Sequence, residues 1–395
     1  MHTRLLTFVC YAIMALFAMA LTITSPLLPA ITASFALSMA EAGLIFTANF
    51  AGFVAFILAG GLLADRWGKQ RVLAVALAGF TLALLAMPLT SSFVAVCAVS
   101  FFIGGFGGIL ESQIGALITG LNPERPSYYL NLSQVFFGVG AVIGPVAAGV
   151  LLQQGGDWRL CYLALGGLTL LIAGLFVAIR APQLVTTDRM RWSAFTALVG
   201  DRQFQLICLC MLLYTGAEVG SWGWMSTFLT RSAGFSIVES SVAVGVFWTA
   251  MTIGRLLCGW LTLRYPLRSI VIGLACASAA VTLIAGFSSA KVALWVLIAA
   301  LGLAFSSQWP LIAAYGSERY TASSGTVFAL LVGSGGLGTT VVPYLMGVIG
   351  ERATIRAAMI SPALLFLVIA LIFWRFGRPN AGVAALGERP GTNAS

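Results

Sequence analysis

The chain is written twice. The run Gly61-Leu-Leu-Ala-Asp65-Arg66-Trp-Gly68-Lys69-Gln-Arg71 returns in weakened form as Gly259-Trp-Leu-Thr-Leu263-Arg264-Tyr-Pro-Leu-Arg268, shifted by 198 positions. The same shift carries Gly140 to Gly338 and Pro145 to Pro343. A repeat of that period confines the fold to two similar halves in parallel arrangement. Composition then decides which solvent the halves meet. With 60% of residues hydrophobic and 8% charged, there is no charged coat for a water-soluble globule, so the solvent is lipid.

A helix that crosses hydrocarbon needs about 20 apolar residues. Twelve such runs fall near 5–30, 41–64, 71–90, 93–120, 128–152, 158–180, 204–230, 237–263, 268–288, 291–316, 323–348 and 354–376. No stretch alternates with period two over the length of a barrel strand, so backbone hydrogen bonds must close within helices. The expected fold is an all-α membrane protein: twelve transmembrane helices in two pseudo-symmetric six-helix bundles. Residues 1–180 form the N-terminal bundle, 181–203 a cytoplasmic linker, 204–378 the C-terminal bundle, and 379–395, rich in Gly, Pro and small residues, a disordered tail. Ala18-Met19-Ala20 faintly echoes a signal-peptidase site, but the apolar run continues past it, as an uncleaved first span would.

Lys and Arg are retained on the cytoplasmic side of a membrane. Arg4, Arg66, Lys69, Arg71, Arg125, Arg180, Arg189, Arg191, Arg202, Arg264, Arg268, Arg319, Arg375, Arg378 and Arg389 fall on one side, whereas only Arg159, Arg231, Lys291, Arg352 and Arg356 fall on the other. Arg255 counts with the first set, close to the end of its span. The bias places a multi-pass protein in the cell membrane with both termini cytoplasmic. It also accounts for the formal charge of +9, so no nucleic-acid footprint is implied.

Enzyme chemistry finds little to use. The sole histidine is His2, and no Ser or Cys has a usable base nearby. The seven cysteines lie inside apolar runs without a CxxC pair, which suggests neither a disulfide framework nor a metal site, and no cofactor is expected. Gly333-Ser-Gly335-Gly-Leu-Gly338 matches GxGxxG by letter, but no strand precedes it, so it is read as a packing helix.

Carboxylates in hydrocarbon are costly and mark pathways or proton relays. Two stand mid-membrane, Glu111 and Glu218. Glu111 shares a helical stripe with Gly104, Gly107, Gly108 and Gly115, which turns it toward the bundle interior. Tyr214, Glu218 and Trp222 repeat at i, i+4 and i+8, a lining suited to a polar ligand with apolar faces such as a sugar ring. Asn49, Asn131, Gln134, Gln308 and Trp309 complete the candidates for substrate binding or proton coupling, each with packing as the plain alternative. Gln308 stands 197 positions after Glu111, which suggests near-equivalent sites in the two halves.

The spacing of Gly61, Asp65, Arg66, Gly68, Lys69 and Arg71 resembles the signature of the major facilitator superfamily, and with the two-half layout the resemblance spans essentially the whole chain. It implies the major facilitator fold and a secondary transporter, and it assigns this motif to gating between the halves. Within that superfamily the run Leu130-Asn131-Leu132-Ser133-Gln134 through Pro145 is similar to the fucose/galactose/glucose proton-symporter group. Tyr214 through Trp222, Gly325 through Phe328 and Gly335 through Gly338 fit the same group. The group's fourth-span acid, implicated in sugar binding or coupling, corresponds to Glu111. Its first-span acid has no counterpart in Thr22, Thr24 or Ser25, its frequent fifth-span His is Gln134, and its fourth-span Asn is Gly115. The expected function is alternating-access transport of a small polar solute, a sugar coupled to protons. The run Gly140-x-x-x-Gly144-Pro145-x-x-x-Gly149 also resembles drug:proton antiporters, which keeps efflux of a drug or metabolite as the alternative. Two halves in one chain make a complete unit, so a monomer in the lipid bilayer suffices.

Overall fold

The computed structural model describes residues 2–122, 124–179, 198–320 and 324–376. Among them are twelve membrane-spanning helices, numbered here as spans. The N-terminal half holds spans 1 to 6: Arg4–Thr22, Met39–Ile57, Lys69–Leu89, Phe93–Leu121, Tyr128–Gln153 and Trp158–Ala178. The C-terminal half holds spans 7 to 12: Arg202–Ser232, Ile237–Leu261, Leu267–Phe287, Lys291–Arg319, Thr326–Arg352 and Ile355–Phe376. Span 1 continues past Thr22 as a further helix, Thr24–Ser34. The proposed linker 181–203 lies outside the described residues up to 197, and so does the proposed tail 379–395.

The helices start where the sequence supplies caps. Ser38 and Glu41 form a reciprocal capping box at the head of span 2, and 198 positions later Ser236 and Glu239 do the same for span 8. The repeat therefore extends to the local chemistry that sets helix boundaries. It also sets the packing. A Cβ on Gly104 would collide with the Asn49 carbonyl, and one on its counterpart Gly302 with the Phe247 carbonyl. Gly140 presses likewise on the Ala15 carbonyl and Gly338 on that of Leu212. Each glycine lets two backbones meet at a distance that no side chain permits. The contacts between halves repeat as well, with Gly149 against the Ile237 carbonyl and Gly347 against that of Met39. Spans 5 and 8 thus meet as spans 11 and 2 do, the signature of a pseudo-two-fold axis.

The GxGxxG string lies inside span 11, where Thr215 Oγ1 donates to the Gly335 carbonyl at 2.7 Å, in keeping with a packing helix. Outward-facing residues are large and apolar, among them Phe8, Leu82, Leu171, Leu256 and Trp374, a surface that only hydrocarbon covers cheaply.

Span 7 begins at Arg202 because Asp201 caps it, accepting from the backbone N–H groups of Gln203 (2.7 Å) and Phe204 (3.3 Å). Tyr320, just past span 10, donates to the same carboxylate at 2.9 Å. Burial alone pushes Asp201 up, but the Tyr320 hydroxyl, the two N–H groups and Arg319 outweigh it and hold the carboxyl below its ordinary value. A depressed carboxyl contributes stability above its unfolded pKa, about 3.9, and loses it as pH falls through the lower folded value. Tyr320→Phe is expected to lower the melting temperature near neutral pH. The gap from wild type should narrow as pH drops below about 4, which thermal unfolding in detergent across pH would read.

Candidate functional site

One large cavity, about 1760 Å³, runs between the halves. Its walls reach Thr119 at the end of span 4, Leu130 near the start of span 5, Thr262 and Tyr265 after span 8, and Glu318 and Arg319 at the end of span 10. All of these lie on the face where residues 179 and 198 stand, here termed the linker face. On the far face the halves are closed. Ser25 Oγ donates to the Trp222 carbonyl (2.7 Å), Thr47 Oγ1 to the Thr340 carbonyl (2.7 Å), and the Ala40 N–H to Glu351 Oε2 (2.9 Å). An aromatic floor separates the cavity from that seal. Phe46 meets Trp222 edge-on at 6.1 Å, Trp222 leans on Trp248 at 6.0 Å, and Trp248 meets Phe137 at 5.7 Å. Fully packed rings of this kind exclude water.

Glu111 and Glu218 both line this cavity, from span 4 of one half and span 7 of the other. Glycine packing explains the placement of Glu111: Gly104 and Gly108 hold span 4 against span 2, at Asn49 and Phe53, which turns the acid inward. Asn131, Gln134, Trp222 and Trp309 also line it. Three of the expected contacts are elsewhere. Tyr214 is fully buried and donates its hydroxyl to the Phe305 carbonyl at 2.8 Å, with Glu218 nearby. Gln308 is buried in its own bundle, with Nε2 donating to Ser278 Oγ (2.8 Å) and the Ala304 carbonyl (3.2 Å). Asn49 Nδ2 donates to the Ser100 carbonyl at 3.2 Å and ties span 2 to span 4. By the offset of 198 that relates Gly104 to Gly302 on the same spans, the counterpart of Glu111 is Trp309 rather than Gln308, and Trp309 is the one that faces the cavity.

Sequence reasoning left out Arg255. Counted as a loop-side charge, it stands inside span 8 and lines the cavity, where its charge acts on both Glu111 and Glu218. The signal was available: Trp248, Arg255, Cys258 and Thr262 recur on one face at helical spacing, and all four reach the cavity. Of the gating motif, the side chains of Gly61 and Asp65 lie outside the described residues. Arg66 and Arg71 are exposed on the linker face, Lys69 is buried, and Gly68 joins spans 2 and 3 with φ of +86°, a conformation suited to glycine.

Two bundles around a central cavity that opens to one face, with acids from both halves in its wall, match a transporter architecture. The sequence profile of the Major Facilitator Superfamily matches residues 10–323 and 207–394. The chain belongs to that superfamily. It is 25% identical to a TsgA homologue of Erwinia tasmaniensis over 93% of both chains. It is 26% identical to the L-fucose-proton symporter of Escherichia coli over 93% of this chain and 91% of that one. Among solved structures, a bacterial homologue of the human lysosomal transporter Spinster, in an inward-facing and unoccupied conformation, superposes with a TM-score of 0.77 at 16% identity. The superposition covers 94% of this chain and 96% of the other. The superfamily member described here is thus a multi-pass membrane transporter resembling the sugar-symporter group.

Proposed function

We propose that this superfamily member carries a sugar across the cytoplasmic membrane by alternating access, coupled to protons. The observation that carries the reading is the single cavity shared by Glu111 and Glu218, one from each half, above an aromatic floor of Trp222 and Trp248. Carboxylates and the amides of Asn131 and Gln134 suit hydroxyls, while indole faces suit the apolar side of a pyranose. Similarity to an L-fucose-proton symporter supports both the sugar and the proton. Arg66, Arg71, Arg264 and Arg268 on the linker face support its being the cytoplasmic one by the positive-inside rule; both termini are then inside and the cavity is inward-open. A monomer contains the whole pathway. The Gly140 to Gly149 run, similar to an antiporter motif, supplies close contacts to spans 1 and 8, and the acids and amides set in the otherwise apolar cavity wall favour the sugar over a greasy drug. Uptake of labelled hexoses by counterflow in proteoliposomes tests the reading. Exchange of at least one hexose is expected, and exclusion of all of them together with dye efflux would replace it by the antiporter.

The far-face seal supplies a conformational prediction. Glu351, at the end of span 11, accepts from Ala40 N–H at the positive end of span 2. Such a charge at a helix N-terminus contributes about 0.3–1 kcal/mol, and here it does so only while the far face is shut. Glu351→Gln is expected to shift the population toward the outward-open state by about two- to fivefold. Far-face distances between spin labels on spans 2 and 11 would report the change.

A further inference from the structure

Span 10 is broken at Ser306–Ser307, between the helices Lys291–Phe305 and Gln308–Arg319. The cause is Pro310: it has no N–H to give the Ser306 carbonyl four residues before it. Arg255 Nε takes up that carbonyl at 3.0 Å, which fixes the plane of the guanidinium from a neighbouring span. One further contact is weak, from an Nη2 to Met251 Sδ at 3.6 Å. Among the described residues the Nη1 group has no hydrogen-bond partner, and neither glutamate in the same cavity stands within ion-pair distance of it. At the rim, by contrast, an arginine spends both Nε and Nη2 on protein carbonyls. Arg268 donates from Nε to the Phe373 carbonyl and from Nη2 to that of Trp374.

A guanidinium inside a membrane span, oriented by a carbonyl that the sequence set free and with no carboxylate in direct contact among the described residues, presents an open edge to an anionic solute in the cavity. Its planar fork matches a carboxylate through two parallel N–H···O bonds. We propose that the solute carries a carboxylate and that Arg255 reads it, so that the sugar is an acidic one of the hexuronate class. This rests on the sugar-carrier reading and narrows it. The sugar ring lies on the Trp222 and Trp248 indoles, the carboxylate meets Arg255 in the C-terminal half, and the hydroxyls reach Asn131 and Gln134 in the N-terminal half. One solute then touches both halves, as a ligand that biases their rocking must. Charge balance adds a consequence. An acidic sugar adds a negative charge beside Glu111 and Glu218, so it enters with more protons than a neutral hexose does.

The test uses the purified full chain with three probes of one ring: galacturonate, its methyl ester and galactose, each competing in counterflow. Galacturonate is expected to bind tighter than the other two by about tenfold or more. Arg255→Gln should erase that preference, and Arg255→Lys, which keeps the charge but loses the fork, should retain part of it. If galactose or the ester competes as well as galacturonate in the wild type, the acidic-sugar inference falls while the sugar carrier stands. If none of the three and no other hexose competes, both fall. A galacturonate preference that survives in Arg255→Gln overturns the role of Arg255. The wild-type comparison needs no variant, so poor folding of either substitution leaves it decisive.

Discussion

Glu111→Gln is expected to abolish proton-driven accumulation while leaving exchange of solute across the membrane in place. Glu111 lines the cavity from the N-terminal half and has no hydrogen-bond partner among the described residues, so the amide, equal in shape, costs the fold little. What the amide cannot do is take a proton on one side of the membrane and release it on the other. A carboxyl drives transport only if its proton affinity differs between the two states of the cavity, and rocking of the halves moves Glu111 relative to Glu218 and Arg255 across the cavity. A gradient of one pH unit is worth about 1.36 kcal/mol per proton, or about tenfold accumulation. Wild-type proteoliposomes should approach that ratio for one coupled proton, and the variant should stop at about unity with counterflow preserved. Accumulation retained in the variant would remove Glu111 from the coupling path and leave Glu218 as the carrier of the proton.

The second large effect concerns the glycines that bring backbones together. Gly104→Ala and Gly302→Ala each place a methyl group into a carbonyl oxygen of the adjacent span, Asn49 in one half and Phe247 in the other. Backbone cannot swing aside as a flexible side chain does, so each substitution is expected to cost about 1–3 kcal/mol. Gly174→Ala and Gly273→Ala meet nothing within 4 Å, and alanine favours helix there. Melting temperatures in detergent should fall for the first pair and hold or rise for the second. Equal behaviour of the two pairs would contradict the packing derived from the repeat.

The repeat that made the fold legible did so because it was written in residue types with strict steric meaning. Gly140 and Gly338, or Ser38 and Ser236, have few substitutes for the jobs they do. Glu111 and Glu218 were legible for a related reason, since an acid in hydrocarbon needs a purpose. Residues with several possible partners were not. Tyr214 shares a stripe with Glu218 and Trp222, yet its hydroxyl turns to a carbonyl of span 10. Gln308 and Asn49 spend their amides within one bundle. Helical spacing gives direction around one axis and says nothing about which neighbouring helix stands there. Arg255 was missed because it was assigned by its nearness to a loop, whereas the Pro310 break that orients it lies on another span.

The central claim is that sugar and protons move together through the cavity between Glu111 and Glu218. Its most direct test is proton flux into proteoliposomes holding the wild-type chain, recorded by an internal pH dye as hexoses and hexuronates are added outside. Solute-dependent movement of protons into the vesicles with the sugar, lost in Glu111→Gln, is the predicted result. Uptake of a sugar with no accompanying proton movement, in the wild type as in the variant, would contradict it.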